Sequence, residues 1–182
     1  MALKFSTSHL SDSISLFRYY KNLGERAMAQ VADDQLLDAP DEESNSIAII
    51  VKHLSGNMLS RWTDFLTTDG EKPTRHRDSE FENPPQDRQK LMRVWEEGWK
   101  RLLNTLESLD DSYLGRQILI RGEAHSVMQA INRQLCHYAY HVGQIVLLAK
   151  ERRRDEWTSL SIPRGKSEEF HQRVRSGELS QR

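Results

Sequence analysis

The sequence predicts an all-α protein built as a four-helix bundle. Its prolines fall in only three places, at Pro40, between Pro73 and Pro85, and at Pro163, which leaves long proline-free segments. Within these segments apolar residues recur every three or four positions, which is the spacing of one buried helix face. Hydrophobic residues make up 37% and charged residues 29% of the chain, a balance typical of helices with one buried stripe and one solvated face.

The first two helices are predicted on either side of an acidic connector that contains Pro40. The first helix covers about residues 11–32, with Ser8 or Ser11 as its N-cap. The second helix covers about residues 45–68, and its apolar residues again follow a helical spacing.

A long connecting loop and a third helix follow. Residues 69–83 contain Gly, Pro and mixed charges without periodicity, which predicts a surface loop, either mobile or functional. Asn83, followed by Pro84 and Pro85, predicts the N-cap of the third helix with prolines in its first turn. Gly98 interrupts the apolar stripe of this helix and costs about 1 kcal/mol relative to Ala, unless another helix packs close there.

The fourth helix is predicted to be the longest. Ser126 opens it, and it ends in the cationic run KERRR, residues 150–154, which suits the negative end of a helix dipole. Before it, the stretch 115–122 alternates weakly and predicts a short extended segment. The tail, residues 155–182, is expected to pack on the bundle and to form a short helix near residues 168–174.

Length, charge and cysteine content limit the function classes. The 182 residues fit a single domain, 1–182. The single Cys136 excludes an intramolecular disulfide and any cysteine-cluster metal site, and it favours a reducing compartment. A net charge of −1 gives no overall attraction to nucleic acid, which is therefore not expected as a partner. No apolar run could span a membrane and no secretory signal is recognisable, so we expect a cytoplasmic protein.

Two histidines in the fourth helix point to chemistry. His137 and His141 are four positions apart, so their rings lie one above the other on one helix face, beside the apolar stripe. Two such imidazoles can chelate one ion, and the alternative is a pair of partly buried histidines bonded to carbonyls or water. Tyr138 stands where the zinc-protease motif has Glu, which disfavours a peptidase of that type.

A catalytic divalent site usually has three protein ligands and one open position. Among the other histidines only His53 lies within a predicted helix beside an apolar stripe, and antiparallel packing of the second and fourth helices would place it opposite His137 and His141. Three neutral imidazoles leave an ion its full double charge, which lowers the pKa of a bound water or thiol. Asn57 and Gln144, one turn away, are either supporting hydrogen-bond partners or ordinary polar residues.

A histidine in the second helix, the HxxxH pair in the fourth, and the segments HYAYHVGQIVLLAK and WTSLSIPRGKS resemble the DinB/YfiT-like superfamily of small metal-binding bundles, in its uncharacterised bacterial branch. The resemblance spans nearly the whole chain and is strongest over residues 132–150. It implies that His53, His137 and His141 bind zinc, nickel or another divalent ion. It also implies a metal-dependent transferase of low-molecular-weight thiols, or a hydrolase, whose substrate stays open. The alternative is a metal-binding or interaction protein of the same fold without turnover.

The fourth helix also has a second apolar face, which a single-stripe bundle helix would not need. This face carries Cys136, Ala139, Tyr140, Gly143 and Leu147. Either the stretch 115–122 and the tail cover it, or it meets the same face of a second subunit about a two-fold axis. Because DinB-like proteins often pair in this way, the resemblance adds to the expectation of a homodimer.

Overall fold

The computed structural model describes residues 7–179, and these residues are mostly helical, as the sequence predicts. In chain order the α-helices are α1 (His9–Met28), α2 (Ile47–Trp62), α3 (Arg88–Glu107), α4 (Val127–Arg153) and α5 (Ser167–Arg175). An antiparallel hairpin of β1 (Gln117–Ile120) and β2 (Glu123–Ser126) precedes α4. No helix among the described residues is long and apolar enough to cross a membrane. The ends of the predicted domain 1–182 and tail 155–182 lie outside the described residues.

Serine side chains cap the N-termini of α1 and α4. Ser8 Oγ accepts a hydrogen bond from the backbone N–H of Ser11, at 3.1 Å. Ser126 and Gln129 form a capping box, in which each side chain accepts a hydrogen bond from the backbone N–H of the other residue, at 3.0 and 2.8 Å. These bonds satisfy N–H groups that have no partner inside the helix. The predicted N-cap of α4, and one of the two predicted for α1, are confirmed.

The start of α3 was predicted wrongly. Its N-cap is Asp87, whose Oδ1 accepts a hydrogen bond from the backbone N–H of Lys90 at 2.7 Å, and not Asn83. Asn83 has a left-handed backbone with φ of 44°. Pro84 is followed by Pro85, and a residue before proline avoids the helical conformation, so these prolines precede the helix and do not fill its first turn.

Helix α2 also ends earlier than the predicted boundary near Thr68. Trp62 is its last residue, Thr63 is extended, and Asp64 has a left-handed φ of 46°. Thr105 of α3 donates a hydrogen bond from Oγ1 to the carbonyl oxygen of Trp62 at 2.8 Å. A hydrogen bond from α3 therefore satisfies a carbonyl group at the end of α2. A pattern of apolar spacing does not reveal such a contact.

The helices bury one apolar core. Helix α1 packs against α4 and α2 against α3, while α2 also contacts α4 and α1 contacts α3. The largest buried aromatic side chains are Phe17, Trp62, Trp95, Trp99 and Tyr138. Gly98 permits the close approach of α2 and α3, because an added Cβ would lie only 2.8 Å from Cα of Ser55. Close packing of a second helix thus explains why glycine interrupts the apolar stripe of α3.

The stretch predicted as a short extended segment forms most of the β hairpin. Its turn residues, Arg121 and Gly122, have positive φ values of 56° and 76°, as a two-residue hairpin turn of the commonest type requires. The carboxylate of Asp69 accepts hydrogen bonds from both turn N–H groups, at 2.8 and 2.6 Å. These bonds attach the beginning of the loop 69–83 to the tip of the hairpin.

Near its beginning, the C-terminal segment is bonded to Gln30, which lies just after the end of α1. The side chain of Gln30 donates a hydrogen bond to the carbonyl oxygen of Thr158 at 3.1 Å and accepts one from its N–H at 2.8 Å. Trp157 and Leu160 pack, partly buried, against the core. The predicted short helix in the tail is confirmed as α5, none of whose residues is fully buried.

We predict that Gly98→Ala destabilises the protein. Helix propensity alone would give a gain of about 1 kcal/mol, but the added methyl group must push apart two packed backbones, and overpacking of this kind costs about 1–3 kcal/mol. Urea denaturation measures the free energy of unfolding. Glu97→Ala is the control, because Glu97 is the exposed neighbour on the same helix and its replacement should leave stability nearly unchanged. A more stable Gly98→Ala protein would contradict the close packing.

Candidate metal centre

The structure brings together His53 from α2 and the pair His137 and His141 from α4. One ring nitrogen of each histidine lies within 4.8 Å of the other two. Nε2 of His53 and Nε2 of His137 are 3.3 Å apart. The ring centroid of His141 lies 4.9 Å from that of His53 and 4.8 Å from that of His137. Helical spacing pairs the rings on α4, and the contact between α2 and α4 adds the third.

The chemistry and spacing of the three donors fit a divalent metal ion. Imidazole nitrogen suits zinc, nickel and copper. Two nitrogens that bind one zinc ion at about 2.0–2.1 Å in a tetrahedral arrangement lie about 3.3 Å apart, which matches the distance between Nε2 of His53 and Nε2 of His137. The three histidines are therefore able to form a metal site, and the ligand set does not distinguish among these metals.

Hydrogen bonds at the far side of two rings orient them for metal binding. Nδ1–H of His53 donates to Oε2 of Glu80 at 2.8 Å, and Nδ1–H of His141 donates to Oε1 of Gln144 at 2.8 Å. Because both acceptors are oxygens, the proton of each neutral ring is on Nδ1, which leaves the lone pair on Nε2. Metal-binding histidines in proteins are held by such bonds.

The rings on α4 are also kept neutral. Burial, together with repulsion from the His141 and His53 rings and from Arg75, lowers the pKa of His137 to about 3. Burial likewise lowers the pKa of His141 below its ordinary value. Both imidazoles are therefore unprotonated at neutral pH, which is the state that can donate an electron pair to a metal ion.

Glu80 is the functional residue that the sequence did not reveal. Its carboxylate accepts hydrogen bonds from Nε and Nη2 of Arg75, at 2.7 and 2.9 Å, in addition to the bond from His53. Burial alone would raise the pKa of Glu80, but the hydrogen bonds from His53 and Arg75 lower it below its ordinary value. Gly56 leaves room for this carboxylate on α2, because an added Cβ would lie 2.5 Å from Oε1 of Glu80.

The loop 69–83 is held against α2 by further contacts. Nζ of Lys52 donates hydrogen bonds to the carbonyl oxygens of Ser79 and Glu82, both at 2.6 Å. The ring of Phe81 stacks on His53, with 4.7 Å between the centroids. The loop therefore supplies one wall of the candidate site.

The two amides next to the histidines play different parts. Gln144 supports His141, as one of the two interpretations predicts. Among the described residues, Asn57 has no hydrogen bond to a histidine. Its Oδ1 instead accepts a hydrogen bond from the hydroxyl of Tyr138 at 2.9 Å. That hydroxyl in turn accepts a hydrogen bond from Nε1 of Trp62 at 3.0 Å, and burial raises the pKa of Tyr138. Asn57 thus belongs to a buried polar chain beneath the site.

A cavity of about 750 Å³ opens beside the histidines, within the range of about 300–1,000 Å³ that is typical of small-molecule sites. Phe81, Asn57 and Gln134 line part of it. The remaining lining residues are the three histidines and the arginines Arg61, Arg75, Arg77, Arg121 and Arg133. The candidate metal centre is therefore open to a small molecule, and its surroundings are rich in positive charge.

A family model described as "Protein of unknown function (DUF1572)" matches residues 4–166. The chain belongs to this family. The match includes α1 to α4, the loop 69–83 and all three histidines. Neither a curated protein nor a solved structure matches the chain.

In this DUF1572 protein we predict that Glu80→Ala lowers stability even without metal. The substitution removes a buried carboxylate and leaves Arg75 and His53 without one of their partners, and breaking a buried pair in this way costs roughly 3–5 kcal/mol. We expect the lower end, because Arg75 keeps its ion pair with Glu71 at 3.0 Å. Urea denaturation in the presence of a chelator measures the effect. Glu82→Ala, an exposed neighbour, is the control, and equal stability of the two variants would refute the prediction.

Proposed function

We propose that this protein is a DinB-like four-helix bundle in which His53, His137 and His141 hold one divalent ion, zinc or nickel, for the transfer of a low-molecular-weight thiol to an electrophile. The observation that carries the proposal is the convergence of three imidazoles, with ligand nitrogens within 4.8 Å of one another. Three protein ligands are the usual number in a catalytic site, because a further position stays open for substrate.

The surroundings of the histidines favour thiol transfer over hydrolysis. When bound, a divalent ion on three neutral imidazoles lowers the pKa of a thiol or water that it contacts. Attack by water commonly needs a general base as well, and none of the cavity-lining residues that the structure describes is a carboxylate. Both oxygens of Glu80 are already bonded to Arg75, and one of them also to His53. A thiol has a pKa of about 8.5 and needs less assistance.

The reaction requires little from the chain beyond positioning. The thiol sulfur would form a bond to the electrophile as the leaving group departs, and the thiol proton would pass to solvent through the open cavity. Glu80 and Gln144 would hold the rings of His53 and His141 in place. The second candidate function is a metal-binding or interaction protein without turnover, which the same three histidines support equally well.

We predict that each of His53→Ala, His137→Ala and His141→Ala abolishes tight metal binding, because a site with two imidazoles binds a divalent ion much more weakly than a site with three. Elemental analysis of protein purified without an affinity tag should give about one ion per chain for the wild type and almost none for each variant.

His76→Ala and His171→Ala are matched controls, since both histidines are exposed and lie outside the cluster. Full stoichiometric metal in the His53→Ala protein would exclude His53 as the third ligand. Wild-type protein loaded with metal should then be tested against a panel of thiols and electrophiles. Thiol consumption that disappears in the three variants supports a transferase, whereas stoichiometric metal without turnover on any pair favours the second candidate.

We further propose a homodimer formed through the second apolar face of α4. Cys136, Tyr140, Gly143 and Leu147 follow one another along this face. Tyr140 remains 63% and Leu147 67% exposed, so the hairpin and the described part of the tail leave the face uncovered. Apart from its chain neighbours and the nearby backbone of α4 itself, no atom of the described residues lies within 4 Å of the position that a Cβ on Gly143 would take, which gives a second backbone room to approach.

We predict that Gly143→Arg converts a dimer into a folded monomer. The new side chain points into open space within one chain, so it should leave the fold intact while placing bulk and charge in the contact. Light scattering at matched protein concentration gives the mass of both proteins, and circular dichroism checks the fold. A monomeric wild type, or a variant that stays dimeric, would disprove this interface.

A further inference from the structure

The cavity beside the histidines has a surplus of positive charge. Arg61, Arg75, Arg77, Arg121 and Arg133 line it. Only three carboxylates among the described residues pair with these arginines, and one of them, Asp78, is almost fully exposed. Glu71 is shared by Arg61, Arg75 and Arg121. Several guanidinium groups around one recess are thus left without a full counter-charge, even before a metal ion adds its own.

Arg61 shows that this surplus is not only a surface property. Its side chain is 4% exposed, and its closest carboxylate oxygen, on Glu71, is 3.5 Å away. Two of its nitrogens, Nε and Nη1, are buried without a hydrogen-bond partner in the described chain. Burial lowers the pKa of Arg61, and repulsion from Arg75 and Arg133 lowers it further. A buried guanidinium normally has its donors satisfied, because an unpaired buried charge is costly.

Arg133 extends the cationic surface to the rim of the cavity. It lies one helical turn before His137 and two turns before His141, on the same face of α4. Its side chain is exposed, and it has no hydrogen-bond or ion-pair partner among residues 7–179. A long cationic side chain at the edge of a recess can reach inward to a ligand without first breaking an internal contact.

We propose that this cavity binds a small anionic molecule through its carboxylate or phosphate group, with Arg61 and Arg133 as the principal contacts. Guanidinium groups match both anions, since their N–H donors can pair with two oxygens at once. The recess, of about 750 Å³, admits a metabolite-sized molecule. The idea that this anion is the electrophilic substrate rests on the proposed function. The binding of the anion does not depend on that function.

The test measures anion binding to the full chain after removal of metal by a chelator, so that the anion has no metal ion to coordinate. Isothermal titration calorimetry with inorganic phosphate and with succinate, at constant ionic strength, should show saturable binding of at least one of them with one site per chain. Arg133→Gln and Arg61→Lys should each weaken this binding about tenfold, which corresponds to the loss of one charged hydrogen bond. Arg61→Lys keeps the charge and loses only the fork of donors.

Arg164→Gln is the matched control, because Arg164 is exposed in the tail and lies outside the cavity lining. The absence of saturable binding for both anions, or binding that neither cavity variant weakens, would overturn the proposal. Arg133 is exposed and unpaired, so its variant should fold even if a variant at Arg61 does not.

The same samples separate this inference from the proposed function. Stoichiometric metal in the wild type without anion binding would refute the anion site and leave the metal site standing. Anion binding in a protein that takes up no metal would refute the proposed function and keep the anion site. Preference for phosphate or for succinate identifies which of the two groups the cavity recognises.

Discussion

A buried polar stripe on α2 is the constraint on which the candidate site depends. Helix α2 contacts α3, α4 and the loop 69–83, so it is enclosed on most sides. Three polar residues of α2, His53, Asn57 and Arg61, nevertheless lie four positions apart on one face of the helix and are buried. Burying such groups is unfavourable unless each is hydrogen-bonded or paired. Their partners in neighbouring elements are Glu80 for His53, Tyr138 for Asn57 and Glu71 for Arg61.

The order of the loop 69–83 follows from that constraint. A segment without apolar periodicity has little hydrophobic surface with which to hold itself against a protein. Ion pairs hold the loop instead. Glu80 pairs with His53 and Glu71 pairs with Arg61, and both partners are buried side chains of α2. Lys52 and Asp69 secure two further points of the loop, on α2 and on the hairpin turn. The loop thus forms one wall of the site, and the ion pairs between its carboxylates and the charges on α2 hold it there.

The sequence predicted those features that depend on spacing within one helix. Apolar periodicity located the helices, and the four-residue spacing of His137 and His141 put their rings on one face of α4. The third histidine, His53, needed an assumption about how the second and fourth helices pack, together with the family resemblance. Glu80 could not be found in this way, because nothing in a loop of mixed charge shows which carboxylate points inward. Gly56 was an available signal, since a glycine inside a helix often marks a close neighbour. The choice of Asn83 over Asp87 as N-cap failed because both residue types cap helices well and the local backbone decides between them.

The electrostatics of the cavity link the two proposed ligands. Repulsion from Arg75 and Arg61 adds to burial in lowering the pKa of His137, which keeps its lone pair free, yet the same arginines also repel a divalent ion. The negative charge of Glu80 offsets part of this repulsion. Glu80 is bonded to Nδ1 of His53, so Nε2, the nitrogen that faces His137, stays free. An anion held by the remaining positive charge would offset more of it. If both proposed ligands bind, each would lower the electrostatic cost of binding the other, and thermodynamic linkage would raise the two affinities by the same factor.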